Sequence, residues 1–559
     1  MSVAADMSVP RITIVDGYVD EPAHFGVPPY IATYPRYVYG AAVDAGVDPA
    51  AIRYHTIDAL RSDRDRYRDV ASAELLVYVG GMTVPGKYVG GTPATPEEVR
   101  ELAWIAEGVS IMGGPIRFGV GAENAGAQEM HRDTLDFDHV AMADIEAAVF
   151  DLLGAGLDGF TPRYRETDEA DRWARLGASV VTDHPSHPDR LICEIETGRG
   201  CPYRCSFCTE PMYGDPRFRD PEAIIAEVRA LAAAGVRDFR LGRQADLLAY
   251  GGDGEAPNPT AIDRLYAGIT AAVDDLRTLH LDNINPITIV RFPERARAAL
   301  ATIARYNTPG DTAAFGLESA DPAVQAANDL NVSAEECLTA IEIVNEVAGW
   351  RPDDTHPRLP KLLPGINLLH GLAGETEATY TANLRFLERV LEADLLVRRI
   401  NIRQVMAFEG TPMAETGSAI AIAHRDRFQR YKQRVRERID RPMLRRVAPV
   451  GTRLDGVIME YHEGGRTFGR QLGTYPLLVA IPGERPLGSV CDVVITDHGY
   501  RSVTGVPYPV DLDTATQAEL LAVPGIGAAT AGALLAAAPG ADPTQLATDV
   551  ADPRLYFGG

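Results

Sequence analysis

Apolar and polar residues alternate with period two over several short segments, and with a period near 3.6 over the stretches between them. The chain therefore reads as strands separated by helices. Within residues 1–155 the apolar runs Arg11–Asp16, Leu75–Gly80 and Val109–Gly114 predict buried strands. Val38–Ala45, ended by Gly46, and Thr95–Glu107, opened by Pro-Glu-Glu, predict helices. This alternation predicts a doubly wound α/β sheet domain with ligands at the C-terminal strand ends. Residues 156–188, rich in charge and proline, read as an irregular connector.

Residues 189–415 repeat strand and helix six times. The predicted strands are Leu191–Glu196, Asp238–Gly242, Thr278–Asp282, Ala313–Glu318, Leu362–His370 and Arg399–Met406. Parallel strands covered by helices are normally apolar on both faces. Here Leu191, Cys193 and Ile195 oppose Glu194 and Glu196, Phe239 and Leu241 oppose Arg240 and Gly242, and Leu279 and Leu281 oppose His280 and Asp282. In the last strand Ile400 and Ile402 oppose Asn401 and Arg403. One polar face per strand predicts a curved, partial (β/α)6 barrel with a polar lumen. Glu194, Glu196, His280, Asp282, Asn367, Asn401 and Arg403 are candidate substrate contacts, and a structural hydrogen-bond network is the competing role for each.

Residues 416–447 read as a basic helical linker, with ten Lys/Arg against three Asp/Glu between Arg425 and Arg446. Residues 448–510 turn to short strands with Gly and Pro turns, predicting a small β-barrel. Residues 511–540 predict two short helices around Pro524-Gly525-Ile526-Gly527, and the tail 541–559 carries no clear pattern.

Composition adds three limits. The 559 residues carry a net charge of −24, and 51 of the 54 basic residues are arginine, the exceptions being Lys87, Lys361 and Lys432. An acidic, lysine-poor surface resembles a halophilic proteome; it describes the solvent and does not exclude nucleic acid as a partner. Six cysteines make no disulfide scaffold. With no secretory-type leader and no apolar run of about 18 residues, a cytoplasmic protein without membrane partners is expected.

Three of the six cysteines fall in one run, Gly198-Arg199-Gly200-Cys201-Pro202-Tyr203-Arg204-Cys205-Ser206-Phe207-Cys208. Three thiolates at CxxxCxxC spacing can hold three irons of a [4Fe–4S] cluster and leave the fourth open. Three buried thiols, or one lobe of a zinc site, is the plainer alternative. Cys193, Cys337 and Cys491 read as ordinary buried thiols.

The cysteine run, placed after a strand and inside a sixfold strand–helix repeat, resembles the radical S-adenosylmethionine (SAM) superfamily over residues 189–415. Gly242-Arg243-Gln244, Gly316-Leu317-Glu318-Ser319 and Gly371-Leu372-Ala373-Gly374-Glu375-Thr376 resemble further motifs of that family. The resemblance implies a 5′-deoxyadenosyl radical made at the cluster, with a reductant such as ferredoxin or flavodoxin as partner. It implies SAM contacts at Phe207, Gly242, Gln244, Glu318, Ser319 and Gly371, the glycines serving close approach of backbone to cofactor.

The flanks resemble two subgroups. The N-terminal sheet is similar to cobalamin-binding domains, yet the Asp-x-His-x-x-Gly motif is missing, since the text around His24 is Asp20-Glu-Pro-Ala-His24-Phe-Gly26; this argues against cobalamin. The domain order resembles the methylthiotransferases with their small RNA-binding TRAM barrel, but the first cysteine is Cys193, so no second cluster is available in the N-terminal domain. Residues 511–540 resemble a helix-hairpin-helix, which would bind a nucleic-acid phosphate at Gly525 and Gly527, although residues 511–553 hold no Lys or Arg. The whole chain resembles uncharacterised radical SAM proteins with such a C-terminus. The expected function is radical modification of RNA, of methylthiolation or methylation type. The rivals are radical chemistry on a small metabolite or lipid precursor, and nucleic-acid binding with a structural or redox-sensing cluster.

Overall fold

The computed structural model describes residues 10–21, 24–25, 28–81, 90–118, 136–252, 256–349, 357–537 and 542–558. The sequence around His24 falls partly outside them.

The N-terminal sheet is parallel throughout, in the spatial order Ile52–Thr56, Ile12–Asp16, Leu75–Val79, Val109–Gly113, His139–Val140. Numbered along the chain this is 2-1-3-4-5, a doubly wound order. Both faces are covered. Ile12, Ile14, Val77 and Ile111 join the main core, while Val15, Leu76, Tyr78 and Met112 close a second cluster with Ile57, Leu60, Val99 and Leu102. The helix Pro96–Ile105 starts where the sequence predicts it, because Thr95 and Glu98 form a reciprocal cap.

The six predicted barrel strands are present, at Ile192–Glu196, Asp238–Gly242, Thr278–Leu281, Asp311–Glu318, Leu362–His370 and Arg399–Gln404. They form two parallel sheets joined by a bridge between Asn283 and Ala314. A seventh strand, Tyr30–Ile31, lies beside Ile192–Cys193. The N-terminal region therefore contributes a strand to the second sheet, and one continuous apolar core runs from Ile12 to Val503.

The connector is not irregular throughout. Thr167–Leu176 is a helix with a buried face of Ala170, Trp173 and Ala174. It packs on the helix Thr33–Asp44, and the Trp173 indole donates to Asp44 (2.9 Å). The two elements meet through glycine: a Cβ on Gly40 would overlap the Trp173 carbonyl, and one on Gly177 the Arg36 carbonyl. Neither neighbour is a side chain that can swing away. Gly40→Ala is therefore expected to cost about 2 kcal/mol, read as a lower midpoint in denaturant unfolding; an unchanged midpoint would show that the helices are free to separate.

The basic linker is one long helix, Arg425–Val435 and Arg441–Val447 joined by a π turn at Arg436–Asp440. Its buried residues Phe428, Tyr431, Val435, Ile439, Met443 and Val447 recur mostly every four positions. A regular helix would rotate such a row away from the core, and the wider π turn brings it back. After it, five strands from Arg453 to Tyr508 close a barrel. The helices Gln517–Ala522 and Ala528–Leu535 follow.

The tail is structured as well. Pro543–Leu546 and Arg554–Phe557 are helical, and Val550, Tyr556 and Phe557 join Leu520, Ile526 and Leu534 in a small core on the barrel. Gly525 (φ 93°) is closed over by Asp549 and Val550, whereas Gly527 faces open space. The tail thus occupies one of the two positions expected to meet a phosphate. No described helix is long and apolar enough to cross a membrane.

Candidate active site

The cysteine loop is held at its base and its middle. Gly198–Arg199 pairs with Arg217–Phe218 to close it. Cys201 donates its amide to the Gly214 carbonyl (3.2 Å), and Gly200 (φ 90°) leaves no room for a side chain against the Gly214 and Asp215 carbonyls. In the middle, the Ser206 amide and hydroxyl donate to Asn328 (3.0 and 2.8 Å), and the Ser206 carbonyl accepts from the Met413 amide (2.9 Å). Asn328 also donates to the Ala373 carbonyl (2.8 Å), tying the loop to the Gly371–Gly374 turn. Sequence reasoning passes over Asn328, which sits in no motif.

All three thiols are free and partly buried. Burial pushes Cys201 up to about 11 and Cys205 up to about 12, and holds Cys208 well above the ordinary thiol value. Arg204 is only a minor offset at Cys201, so the thiolates a cluster needs would be generated by the iron itself. Among the described residues no three His, Cys, Asp or Glu side chains converge on a single-ion site. A cubane does not require that, because each iron takes one thiolate. The donor set fits a cluster.

Glu318 is the second conspicuous group. It ends its strand at a bulge with φ 60°, a conformation that costs an ordinary residue about 1–3 kcal/mol. Its carboxyl lies over Gly316 and has no hydrogen-bond partner among the described residues. Burial pushes it up to about 8, against the opposing charge of Arg403. It is close enough to raise the Cys205 thiol. A strained, unsatisfied carboxyl beside the cysteines fits a cationic ligand such as the SAM sulfonium.

The other residues expected at SAM have partners within the protein. Gln244 accepts from the Thr197 hydroxyl (3.0 Å) and donates to the Leu241 carbonyl (3.4 Å). Gly242 lacks a side chain because the Glu194 carboxyl lies on it, 2.5 Å from where a Cβ would sit. Gly371 (φ 90°) packs on Ala421. Ser319 is fully buried and accepts from the Asp321 amide (3.2 Å). Phe207 packs with Leu372, Val405 and Met413. The Glu375 carboxylate of the Gly-Glu-Thr turn accepts from His370 (3.0 Å), the Gly371 amide (2.8 Å), Tyr380 (2.7 Å) and His424 (2.8 Å). These bonds outweigh burial and hold it down to about 2.

The seven lumen candidates separate into two groups. Glu194 and Asp282 both pair with Arg240, the first at 2.6 Å, and all three are buried. Glu196 pairs with Arg165 (2.5 Å), which also meets Asp144 and Glu146, so this carboxylate ties the barrel to the connector and the N-terminal sheet. His280 accepts the Thr474 amide (2.8 Å) from a loop of the C-terminal barrel, and burial lowers it to about 3. These four are spent on internal contacts. Asn367, Asn401 and Arg403 stay partly exposed. The Asn401 amide lies 3.2 Å from Asn367 and, suitably turned, accepts from Arg403 (2.9 and 3.0 Å). With Glu318 they form the accessible polar surface of the lumen.

The N-terminal sheet docks beside this site. Arg117 donates to the Tyr213 hydroxyl (2.8 Å), Arg199 pairs with Asp144 (2.5 Å), and Met406 and Phe408 pack on the cluster around Tyr78.

The family described as the radical SAM superfamily matches residues 195–387, the span that holds the cysteines, Glu318 and the Gly-Glu-Thr turn. An uncharacterized protein of Archaeoglobus fulgidus is 41% identical over 515 residues, covering 91% of this chain and 92% of that one. The chain belongs to the radical SAM superfamily. It is a radical SAM enzyme, and the family implies a [4Fe–4S] cluster and SAM. An uncharacterized protein of Methanocaldococcus jannaschii is also 41% identical, over 518 residues, covering 89% of this radical SAM chain and 93% of the relative. The ribosomal protein uS12 methylthiotransferase RimO of Anaeromyxobacter sp. is 27% identical over 333 residues, 57% of this chain and 62% of that one. Among solved structures, the cobalamin-dependent SAM radical enzyme OxsB overlaps 76% of this chain and 56% of its own, at 11% identity and a TM-score of 0.48.

Proposed function

We propose that this radical SAM enzyme modifies RNA. The observation that carries the reading is a row of exposed arginines on the helix between the two barrels. Arg430, Arg434, Arg441 and Arg445 are exposed and have no carboxylate partner among the described residues. Their spacing keeps them on one side of the helix, opposite the buried row from Phe428 to Val447. In a chain of net charge −24 such a row is unusual, and it suits a phosphate backbone.

In this reading Cys201, Cys205 and Cys208 hold the cluster, and Glu318 faces bound SAM. The cofactor supplies a 5′-deoxyadenosyl radical; the protein orients it and excludes water. Asn367, Asn401 and Arg403 offer hydrogen bonds to the group presented for reaction, and Phe207 and the Glu375 turn keep the cysteine loop in register with the strand ends.

Crosslinking in cells, followed by nucleoside mass spectrometry of a deletion strain, tests the proposal. RNA crosslinked near residues 430–445 and one modified nucleoside lost on deletion are expected. Absence of both would overturn the RNA reading and leave the cluster assignment intact. The methylthiotransferase relatives favour one second reading, a ribosomal protein as substrate, which would appear as a lost modification in ribosomal peptides.

The role given to Glu318 has its own test. Glu318→Gln keeps the shape and removes the charge, and is expected to weaken SAM binding to the reconstituted enzyme about tenfold, or ~1.4 kcal/mol. Unchanged affinity in calorimetric titration would remove Glu318 from the cofactor site.

A further inference from the structure

A cleft of about 130 Å³ opens where the barrel strand Arg399–Gln404 begins, bounded by the basic helix and two loops of the C-terminal barrel. Four arginines line it, Arg398, Arg399, Arg436 and Arg501, against one carboxylate, Asp440, which pairs with Arg436. No carboxylate among the described residues lies within ion-pairing distance of Arg398, Arg399 or Arg501. The Arg399 guanidinium stacks on the Tyr475 ring (3.8 Å) and donates no hydrogen bond among the described residues, and neither does that of Arg501. Arg398 gives one bond to the Tyr475 carbonyl (2.7 Å), and its Nε and that of Arg436 are buried without partners. Burial and mutual repulsion lower Arg398 and Arg399 to about 10. Arg436 also donates to the Ile400 carbonyl (3.0 Å); the rest of the chain has acid in excess, yet here like charges gather with most of their donors unspent. Arg398, Arg399 and Arg436 are half-buried and Arg501 is exposed, and gathering unpaired like charges partly out of water is costly unless something of opposite sign fills the site.

We propose that this cleft is a binding site for a phosphate-type oxyanion. Planar guanidinium groups with free N–H donors match the oxygens of phosphate in geometry and charge. The volume holds roughly four waters at ~30 Å³ each, enough for one tetrahedral anion, and the open side leaves room for whatever the phosphate is attached to. Two sources share this chemistry, a nucleic-acid backbone and a free phosphate. Because the cleft is built from the SAM barrel, the linking helix and the C-terminal barrel together, its occupant would brace the three against one another. The proposal does not depend on radical chemistry or on RNA as substrate.

The test uses the full chain at constant ionic strength, set with chloride. Inorganic phosphate is expected to bind saturably in calorimetric titration. The double variant Arg399→Gln, Arg501→Gln should bind it at least tenfold more weakly, and Arg501→Lys, which keeps the charge, should lose less. A single-stranded oligoribonucleotide, followed by fluorescence anisotropy, separates the sources. If the double variant weakens it at least fivefold and phosphate competes, the site takes backbone phosphate. If phosphate binding is lost and oligonucleotide binding is unchanged, the site takes free phosphate. Absent phosphate binding, or equal binding by wild type and double variant, overturns the proposal. If the double variant does not fold, Arg501→Gln alone, at an exposed loop position, carries the same comparison.

Discussion

Cys205→Ala protein is expected to purify folded, to lose the visible absorbance and the bound iron of the cluster, and to make only background 5′-deoxyadenosine from SAM under reduction. The thiol of Cys205 is only partly buried, and nothing in the loop hangs on it. Ser206 is anchored to Asn328 and Met413, and the Gly198–Arg199 ladder closes the loop. Removing the sulfur therefore costs little stability, about 1 kcal/mol or less, while the cluster loses one of three ligands and activity falls by orders of magnitude. Iron and sulfide analysis with product chromatography decides it. Full iron together with SAM cleavage in the variant would show that Cys205 is not a ligand.

The second large effect falls on stability. Glu375 gathers the end of one strand, the following helix and His424 onto a single carboxylate. Glu375→Ala strands a buried imidazole, a buried amide and a buried phenol at once. A loss of about 3–5 kcal/mol is expected, measured as the shift of the denaturant midpoint. The sign with pH follows from the depressed carboxyl. The wild-type advantage over the alanine variant should be full above the ordinary glutamate value near 4.5, and should fade as the pH drops toward about 2. An advantage that grew in acid would contradict an ionised Glu375.

Much of this was legible in the chain because it is local. Strand positions follow from period-two alternation, and the cysteine run is self-contained within residues 198–208. Alternation also located the polar lumen, but it could not say which lumen residues are already paired. Arg240 takes Glu194 from one neighbouring strand and Asp282 from the other, and Glu196 is taken by Arg165 from the connector. Tyr30–Ile31 is too short for any periodicity to register. The helix Thr167–Leu176 is hidden by its charge, since only Ala170, Trp173 and Ala174 face inward. The glycine at 242, expected to admit a cofactor, instead makes room for a carboxylate two strand positions away in space.

The loop between Gln471 and Leu477 limits where this enzyme can be cut. Its carbonyls and amides meet Tyr30, Thr278, His280 and Arg398 at the starts of the barrel strands. A truncation near residue 415, where the sequence suggests a boundary, would unfloor the lumen and leave those buried groups facing solvent. The C-terminal barrel is a keel of the catalytic one, and the two are expected to be stable only when cut out together.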